Sequence, residues 1–247
     1  MIKKENGMKK ILIGIILCVF ALSHGYIIIG HRGAAGYAPE NTLSSFALAI
    51  ECGVDMVEFD VWKCASGELV VFHDAKVDHV TDGYGYITSH TLEELKQLTV
   101  LGYEKIPTLT EVLDFIDRRV KVYIEIKDAD IAYDVLKVIE YYVEHKQWQY
   151  EDFLVASFDH TQLYDIKASN RFVSIAALVY GIPVHLSACI CAMDADVMSL
   201  SIDFINQQFV DDIHSQGMLV YVYTVNDPDD TVRVINYGID GIITDYP

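Results

Sequence analysis

Two carboxylates, Glu58 and Asp60, sit two residues apart inside the apolar run Met56-Val57-Glu58-Phe59-Asp60-Val61. In an extended strand that spacing turns both side chains to one face. Unless a cation or a shared proton compensates, two such carboxylates repel each other. Glu125 and Lys127 repeat the spacing in Tyr123-Ile124-Glu125-Ile126-Lys127, and His31-Arg32 follows directly on Ile27-Ile28-Ile29-Gly30. His73-Asp74 closes a further extended stretch. Three converging carboxylates with no cysteine among them describe a hard-cation site, for Mg²⁺ or Ca²⁺ rather than Zn²⁺. Arg32 and Lys127 add the positive charge that a phosphate needs, and His31 and His73 offer a general base and a general acid near neutral pH. Together these groups can cleave a phosphodiester, the cation clamping phosphate oxygens and acidifying a bound hydroxyl or water.

Such a set has to be brought together by strands whose ends share one face. Apolar runs alternate with helical patterns along the chain, the signal for βαβ units and a parallel sheet. Eight strands are predicted: Tyr26–Gly30, Met56–Trp62, Lys121–Lys127, Phe153–Phe158, Val173–Val179, Val197–Ile202, Leu219–Val225 and Gly241–Asp245. Predicted helices are Thr42–Cys52 with Asn41 as N-cap, Thr110–Arg118, Ala132–Lys146, Thr161–Ser169, Gln208–Gln216 and Pro228–Tyr237. Gly53, Gly217 and Gly238 stand at helix ends, where the left-handed turn favours glycine. The fold class is therefore α/β, an eight-stranded (β/α)₈ TIM barrel, whose active face lies at the C-terminal strand ends. Residues 63–107 interrupt the alternation after the second strand. They hold the extended segment Glu68–His73, a turn at Gly83–Gly85 and a short helix Thr91–Leu98 with Glu93 and Glu94 in its first turn.

The chain has 247 residues, and about 250 is the usual size of this barrel, so a second large domain has no room. A net charge of −18, from 36 acidic and 18 basic residues, argues against nucleic acid and anionic membranes as partners. It also requires any phosphate site to be locally positive. Residues 1–23 read as a signal peptide: Lys9-Lys10, an apolar run from Ile11 to Leu22, and a small-x-small end at Ala21-Leu22-Ser23. The run is shorter than the roughly 20 residues of a membrane span. The expected location is secreted or periplasmic, with an uncleaved anchor as the alternative. Of five cysteines, Cys18 lies in that leader, while Cys52, Cys64, Cys189 and Cys191 show no zinc-site spacing. Export would permit disulfides among the four. Cys52 and Cys64 fall in barrel-like segments, where a free cysteine behaves as a small hydrophobe.

The blocks Gly30-His31-Arg32-Gly33, Ala38-Pro39-Glu40-Asn41-Thr42, Glu58-Phe59-Asp60-Val61, Val71-Phe72-His73-Asp74, Ile106-Pro107-Thr108-Leu109 and Glu125-Ile126-Lys127 occur in that order. Tyr223-Thr224-Val225-Asn226 and Gly241-Ile242-Ile243-Thr244-Asp245-Tyr246-Pro247 follow. The ordered set resembles the glycerophosphodiester phosphodiesterases. The resemblance implies Glu58, Asp60 and Glu125 as ligands of a divalent metal, His31 and His73 as the acid/base pair, and Arg32 and Lys127 as phosphate holders. It implies a small-molecule phosphodiester substrate cleaved to an alcohol and sn-glycerol 3-phosphate, with the substrate's own hydroxyl or water as nucleophile. Residues 74–107 correspond to that family's capping insertion, within a barrel domain spanning 24–247.

Three positions depart from the family pattern. Tyr223 stands for a usual tryptophan, His79 for a usual arginine, and Pro247 directly follows the eighth strand, where a closing helix is usual. Competing readings remain at single residues. Glu125 and Lys127 also fit a structural ion pair, His73-Asp74 fits a turn entry, and Asp245 fits either site support or a turn. His79, His90, His145, His160, His185 and His214 read as loop or solvated helix residues without a catalytic role. Tyr141, Tyr142 and the rings near Trp148 read as packing and rim. Rival functions for the whole chain are a phospholipase acting on lysophospholipids or phosphoinositides, and a non-catalytic phosphodiester-binding module.

Overall fold

The structure, a computed structural model, describes residues 25–182 and 193–247. The leader, Cys18, Cys189, Cys191 and His185 lie outside the described residues. Eight parallel strands close into a barrel: β1 (Ile27–Gly30), β2 (Met56–Lys63), β4 (Lys121–Ile126), β5 (Phe153–Ser157), β6 (Ser174–Val179), β7 (Val197–Ser201), β8 (Leu219–Tyr223) and β9 (Gly241–Thr244). The ninth strand, β3 (Leu69–Val71), pairs antiparallel to β2 through Val61↔Val71 and Lys63↔Leu69. β1 pairs with β9 at four positions from Ile27↔Gly241 to Gly30↔Thr244, and with β2 at two. The ring is thus closed by hydrogen bonds between its first and last strands.

Strand parity explains how the site is made. Val57, Phe59 and Val61 belong to the large outer core between strands and helices, whereas Met56 joins the barrel-interior cluster with Ile29, Tyr123 and Ile243. Residues two apart share a face. Glu58 and Asp60 therefore follow Met56 inward, His31 follows Ile29, and Glu125 and Lys127 follow Tyr123. Apolar side chains fill the lower interior and the charged ones stack above them, toward the C-terminal strand ends. The register Asp60↔Glu125 sets these two carboxylates on neighbouring strands.

The helices are α1 (Leu43–Cys52), α2 (Leu92–Gln97), α3 (Leu109–Ile116), α4 (Ala132–His145), α5 (His160–Ser169), α6 (Gln207–Ser215) and α7 (Pro228–Asn236). Five of these starts differ by one residue from the sequence expectation, and the capping shows why at two. Thr42, not Asn41, caps α1, its side chain accepting from the Ser45 amide. Thr108 opens α3 with a reciprocal capping box to Glu111, so that helix begins before Thr110. At its other end α3 stops at Asp117, which turns left-handed (φ 43°).

The inserted segment has a small core of its own, in which Val70, Phe72, Val77, Ile87, Leu95, Val100 and Ile106 pack together with Cys64. Its helix α2 is capped by Thr91 and Glu94. Cys64 is buried, as a small hydrophobe would be, but Cys52 ends α1 exposed; both are free thiols. Tyr142 and Trp148 are fully buried packing residues, while Tyr141 is half exposed. Among the described residues no helix is long and apolar enough to cross a membrane.

Candidate active site

The turn after β1 carries the first two groups. Arg32 adopts a left-handed backbone (φ 50°), which costs an L-residue about 1–2 kcal/mol. Three hydrogen bonds hold it there. Its amide donates to Glu58 Oε2 at 2.6 Å, and its carbonyl accepts from the Asn41 amide at 3.0 Å and from Ser45 Oγ at 2.8 Å. Gly33 follows at φ 87° with Ser45 packed where a Cβ would stand, so a side chain has no place there. The Arg32 guanidinium pairs with Glu40 Oε1 at 2.9 Å and lies 3.6 Å from Asp60 Oδ2.

Glu58, Asp60 and Glu125 each direct an oxygen to a common point, the three atoms lying within 4.8 Å of one another. Asp60 is held from behind by Asn41, whose Nδ2 donates to Oδ2 at 2.9 Å and whose Oδ1 accepts from the Asp60 amide at 3.3 Å. Lys127 donates to Glu125 Oε1 at 2.7 Å and approaches Asp60 Oδ1 at 3.5 Å. Burial, then repulsion from Asp60 and Glu125, pushes the Glu58 carboxyl well above its ordinary range. Burial and Asp60 push Glu125 up to about 7 despite Lys127. Burial opposes the charge on Arg32 and on Lys127, but Asp60 and the other carboxylates outweigh it and raise both.

One atom is decisive for what belongs at this point. Glu58 Oε1 is buried and has no hydrogen-bond partner. A buried carboxylate oxygen without a partner costs several kcal/mol, on the order of the charged-group penalty. An oxygen-only donor set with one free buried oxygen fits a hard divalent cation.

Both histidines use Nδ1 to reach a carboxylate. His31 meets Asp245 Oδ1 at 2.6 Å and His73 meets Asp74 Oδ1 at 2.7 Å. A carboxylate on Nδ1 places the ring proton there and leaves Nε2 to exchange protons with a substrate. Burial lowers the His73 pKa; Asp60 opposes the shift and Arg32 and Lys127 reinforce it, which sets this ring among the site's charges. Its backbone is pinned by Trp62, whose Nε1 donates to the His73 carbonyl at 3.0 Å. All seven residues singled out by spacing thus sit at the C-terminal mouth of the barrel.

The chain matches the model of the glycerophosphoryl diester phosphodiesterase family over residues 31–247. The chain belongs to this family. A glycerophosphodiester phosphodiesterase of Caldanaerobacter subterraneus is 35% identical over 240 residues, covering 90% of this chain and 94% of that one. One from Bacillus subtilis is 29% identical over 246 residues, covering 90% and 84%. Among solved structures, a phosphodiesterase from Oleispira antarctica in complex with the product sn-glycerol-3-phosphate superposes with TM-score 0.82 at 31% identity, covering 90% of this chain and 93% of that one. The glycerophosphodiester phosphodiesterase of Thermotoga maritima gives 0.75 at 29%, covering 90% and 95%. As a member of the glycerophosphodiester phosphodiesterases, the chain is a phosphoric diester hydrolase.

Several residues of this glycerophosphodiester phosphodiesterase site were not legible from spacing. Glu40 stands in a recognised block without a role and Asn41 reads only as a helix cap; they hold Arg32 and Asp60. Asp245, open between support and turn, supports His31 and is itself bound by Asn226, Nδ2 to Oδ2 at 2.5 Å. The Tyr223 ring lines the interior cavity with His31, Glu58 and Glu125, and its hydroxyl donates to the Val179 carbonyl at 3.1 Å. His79 is solvent-exposed, 3.7 Å from Asp74. His160 is partly buried at the start of α5 rather than solvated, its Nε2 3.0 Å from the Leu178 carbonyl.

Proposed function

We propose that the chain hydrolyses glycerophosphodiesters to an alcohol and sn-glycerol 3-phosphate with a divalent cation, Mg²⁺ or Ca²⁺, held by Glu58, Asp60 and Glu125. His31 and His73 act as the acid/base pair, and Arg32 and Lys127 hold the phosphate. The observation that carries this reading is the pairing of two Nδ1-anchored imidazoles with a carboxylate cluster that keeps one buried oxygen, Glu58 Oε1, unpartnered. The solved Oleispira relative, in complex with sn-glycerol-3-phosphate, supports the choice of product.

When bound, the cation supplies a Lewis acid for phosphate oxygens and lowers the pKa of a hydroxyl or water beside it. The protein's own residues do the rest. One histidine takes the nucleophile's proton at Nε2 while the other gives a proton to the leaving alcohol oxygen. Asp245 and Asp74 hold a proton on Nδ1 of each ring, so that the accepting ring has Nε2 bare and the donating ring, as the imidazolium, carries its second proton there. Arg32 and Lys127, fixed by Glu40 and Glu125, set fixed positive charge against the phosphate in a protein that is otherwise strongly acidic. The nucleophile is the neighbouring hydroxyl of the substrate or water, and a cyclic phosphate among early products marks the former. Export through residues 1–23 belongs to the same proposal, with N-terminal sequencing of the natural product as its check.

The test is a coupled assay of glycerol 3-phosphate release from glycerophosphocholine and glycerophosphoethanolamine, with EDTA and with Mg²⁺ or Ca²⁺ restored. Release stopped by EDTA and rescued by a cation supports the reading. Release unaffected by EDTA removes the cation from it, and cleavage of lysophospholipids alone would replace the substrate.

A further inference from the structure

Beside the carboxylate cluster, between the ends of β4 and β5, lies a cleft of about 260 Å³ that shares Glu125 and Lys127 with the proposed site and whose other walls no proposed catalytic step uses. Its wall runs from Glu125 and Lys127 through Asp128 to Ser157, Phe158 and Asp159. The inner end is cationic, at Lys127. The outer end is not: it carries two carboxylates and the Phe158 ring, half of whose surface is exposed. Phe158 stands edge-on to Tyr223, ring centroids 6.2 Å apart at 89°, and this contact joins the cleft to the cavity beneath His31.

The two acids are built into the backbone rather than free. Asp159 caps α5, Oδ1 accepting from the Thr161 amide at 3.0 Å, and Asp128 Oδ1 accepts from the Ala129 amide at 2.9 Å. They accordingly present fixed negative charge more than spare hydrogen-bond acceptors. An aromatic face next to fixed negative charge attracts a cation that has little or nothing to donate, as a quaternary ammonium does. From Lys127 outward the cleft therefore runs from positive to negative, the same order as a phosphate followed by an ammonium group.

We propose that this cleft is the subsite for the leaving alcohol, and that Phe158, Asp159 and Asp128 make it select alcohols carrying an ammonium group. The inference rests on the phosphodiesterase reading and adds the class of alcohol. The experiment compares kcat/KM, read as glycerol 3-phosphate release, for glycerophosphocholine and for its neutral isostere with carbon in place of nitrogen. Glycerophosphoethanolamine and glycerophosphoglycerol form a second charged and neutral pair. The charged member of each pair is cleaved about ten-fold more efficiently, the size expected of one cation–π contact plus screened charge. In Phe158→Ala, Asp159→Asn and Asp128→Asn that ratio falls toward one, and in Asp159→Asn the helix cap survives because asparagine also caps. Equal cleavage of charged and neutral substrates by the unaltered protein overturns the inference and leaves the phosphodiesterase reading standing. A ratio unmoved in all three variants overturns the assignment of the cleft. Failure on every diester with cation present sinks the phosphodiesterase reading, and the inference with it.

Discussion

His31 and Asp245 are 214 positions apart in sequence and 2.6 Å apart in the fold. The contact exists because β1 and β9 are neighbours in the closed barrel, so the turns leaving their C-terminal ends meet. Asn226 completes it, donating to Asp245 Oδ2 and accepting the Asp245 amide at 2.9 Å. Burial alone would raise the Asp245 carboxyl, but the hydrogen bond and charge of His31, with help from Asn226, hold it below its ordinary range. Asp245→Asn keeps the shape but replaces a charged acceptor by an amide that can present its NH₂ to Nδ1 instead. The expected result is a fall in kcat of about 10²–10⁴-fold, the range seen when a histidine loses its orienting carboxylate. Cation affinity, measured by calorimetry, stays with the unaltered protein; a parallel loss of cation would make Asp245 part of the cation site instead.

His73 offers a separate test through its partner. Burial depresses its pKa, and the bond to Asp74 works against that depression. Removing the carboxylate in Asp74→Asn lets the His73 value fall further. At saturating cation, the limb of the kcat/KM profile controlled by His73 moves to lower pH, while the limb set by the other histidine stays in place. A profile with both limbs unmoved would show that His73 does not titrate in the reaction.

Much of the site was legible because barrel strands are buried on both faces. Their apolar runs stand out, and any charge within them is conspicuous: Glu58, Asp60 and Glu125 interrupt otherwise unbroken hydrophobic segments. The residues that hold those charges were not legible in the same way. Glu40, Asn41 and Asp245 lie in turns, where polar residues are expected for local reasons, and their roles depend on which strand ends the fold brings together. Asn41 is the plainest case. An asparagine just before a helix reads as a cap, but Thr42 does that work and frees Asn41 to reach Asp60 across nineteen positions.

The carboxylate cluster should make the cation-free protein sensitive to pH in an uncommon direction. Glu125 is raised from 4.5 to about 7 by burial and by Asp60. A raised carboxyl pKa means that the folded state binds the proton more tightly than the unfolded chain does. Its stabilising contribution is complete below pH 4.5 and is lost as pH rises through about 7. In EDTA, the unfolding free energy of the unaltered protein, from denaturant titration, should fall relative to Glu125→Gln between those limits, by on the order of 1–3 kcal/mol. Adding Mg²⁺ or Ca²⁺ should reverse the trend, since cation binding displaces those protons and strengthens as pH rises. A difference independent of pH would place the ionisation of Glu125 outside the folding equilibrium.

Asn41 combines two features that substitution can separate. It is left-handed at φ 57°, and it is buried with both side-chain atoms engaged by Asp60. Asn41→Gly relieves the backbone but removes the contact; Asn41→Ala removes the contact and adds the left-handed cost of about 1–2 kcal/mol. Both variants should weaken cation binding by the same factor, about 10–100-fold, as expected when a ligating carboxylate loses the partner that orients it. Thermal stability should separate them, with Ala below Gly by the backbone cost alone. Equal cation affinity in Asn41→Gly and the unaltered protein would show that Asp60 needs no partner to stay in place. The role of Asn41 would then reduce to shaping the turn that presents Arg32.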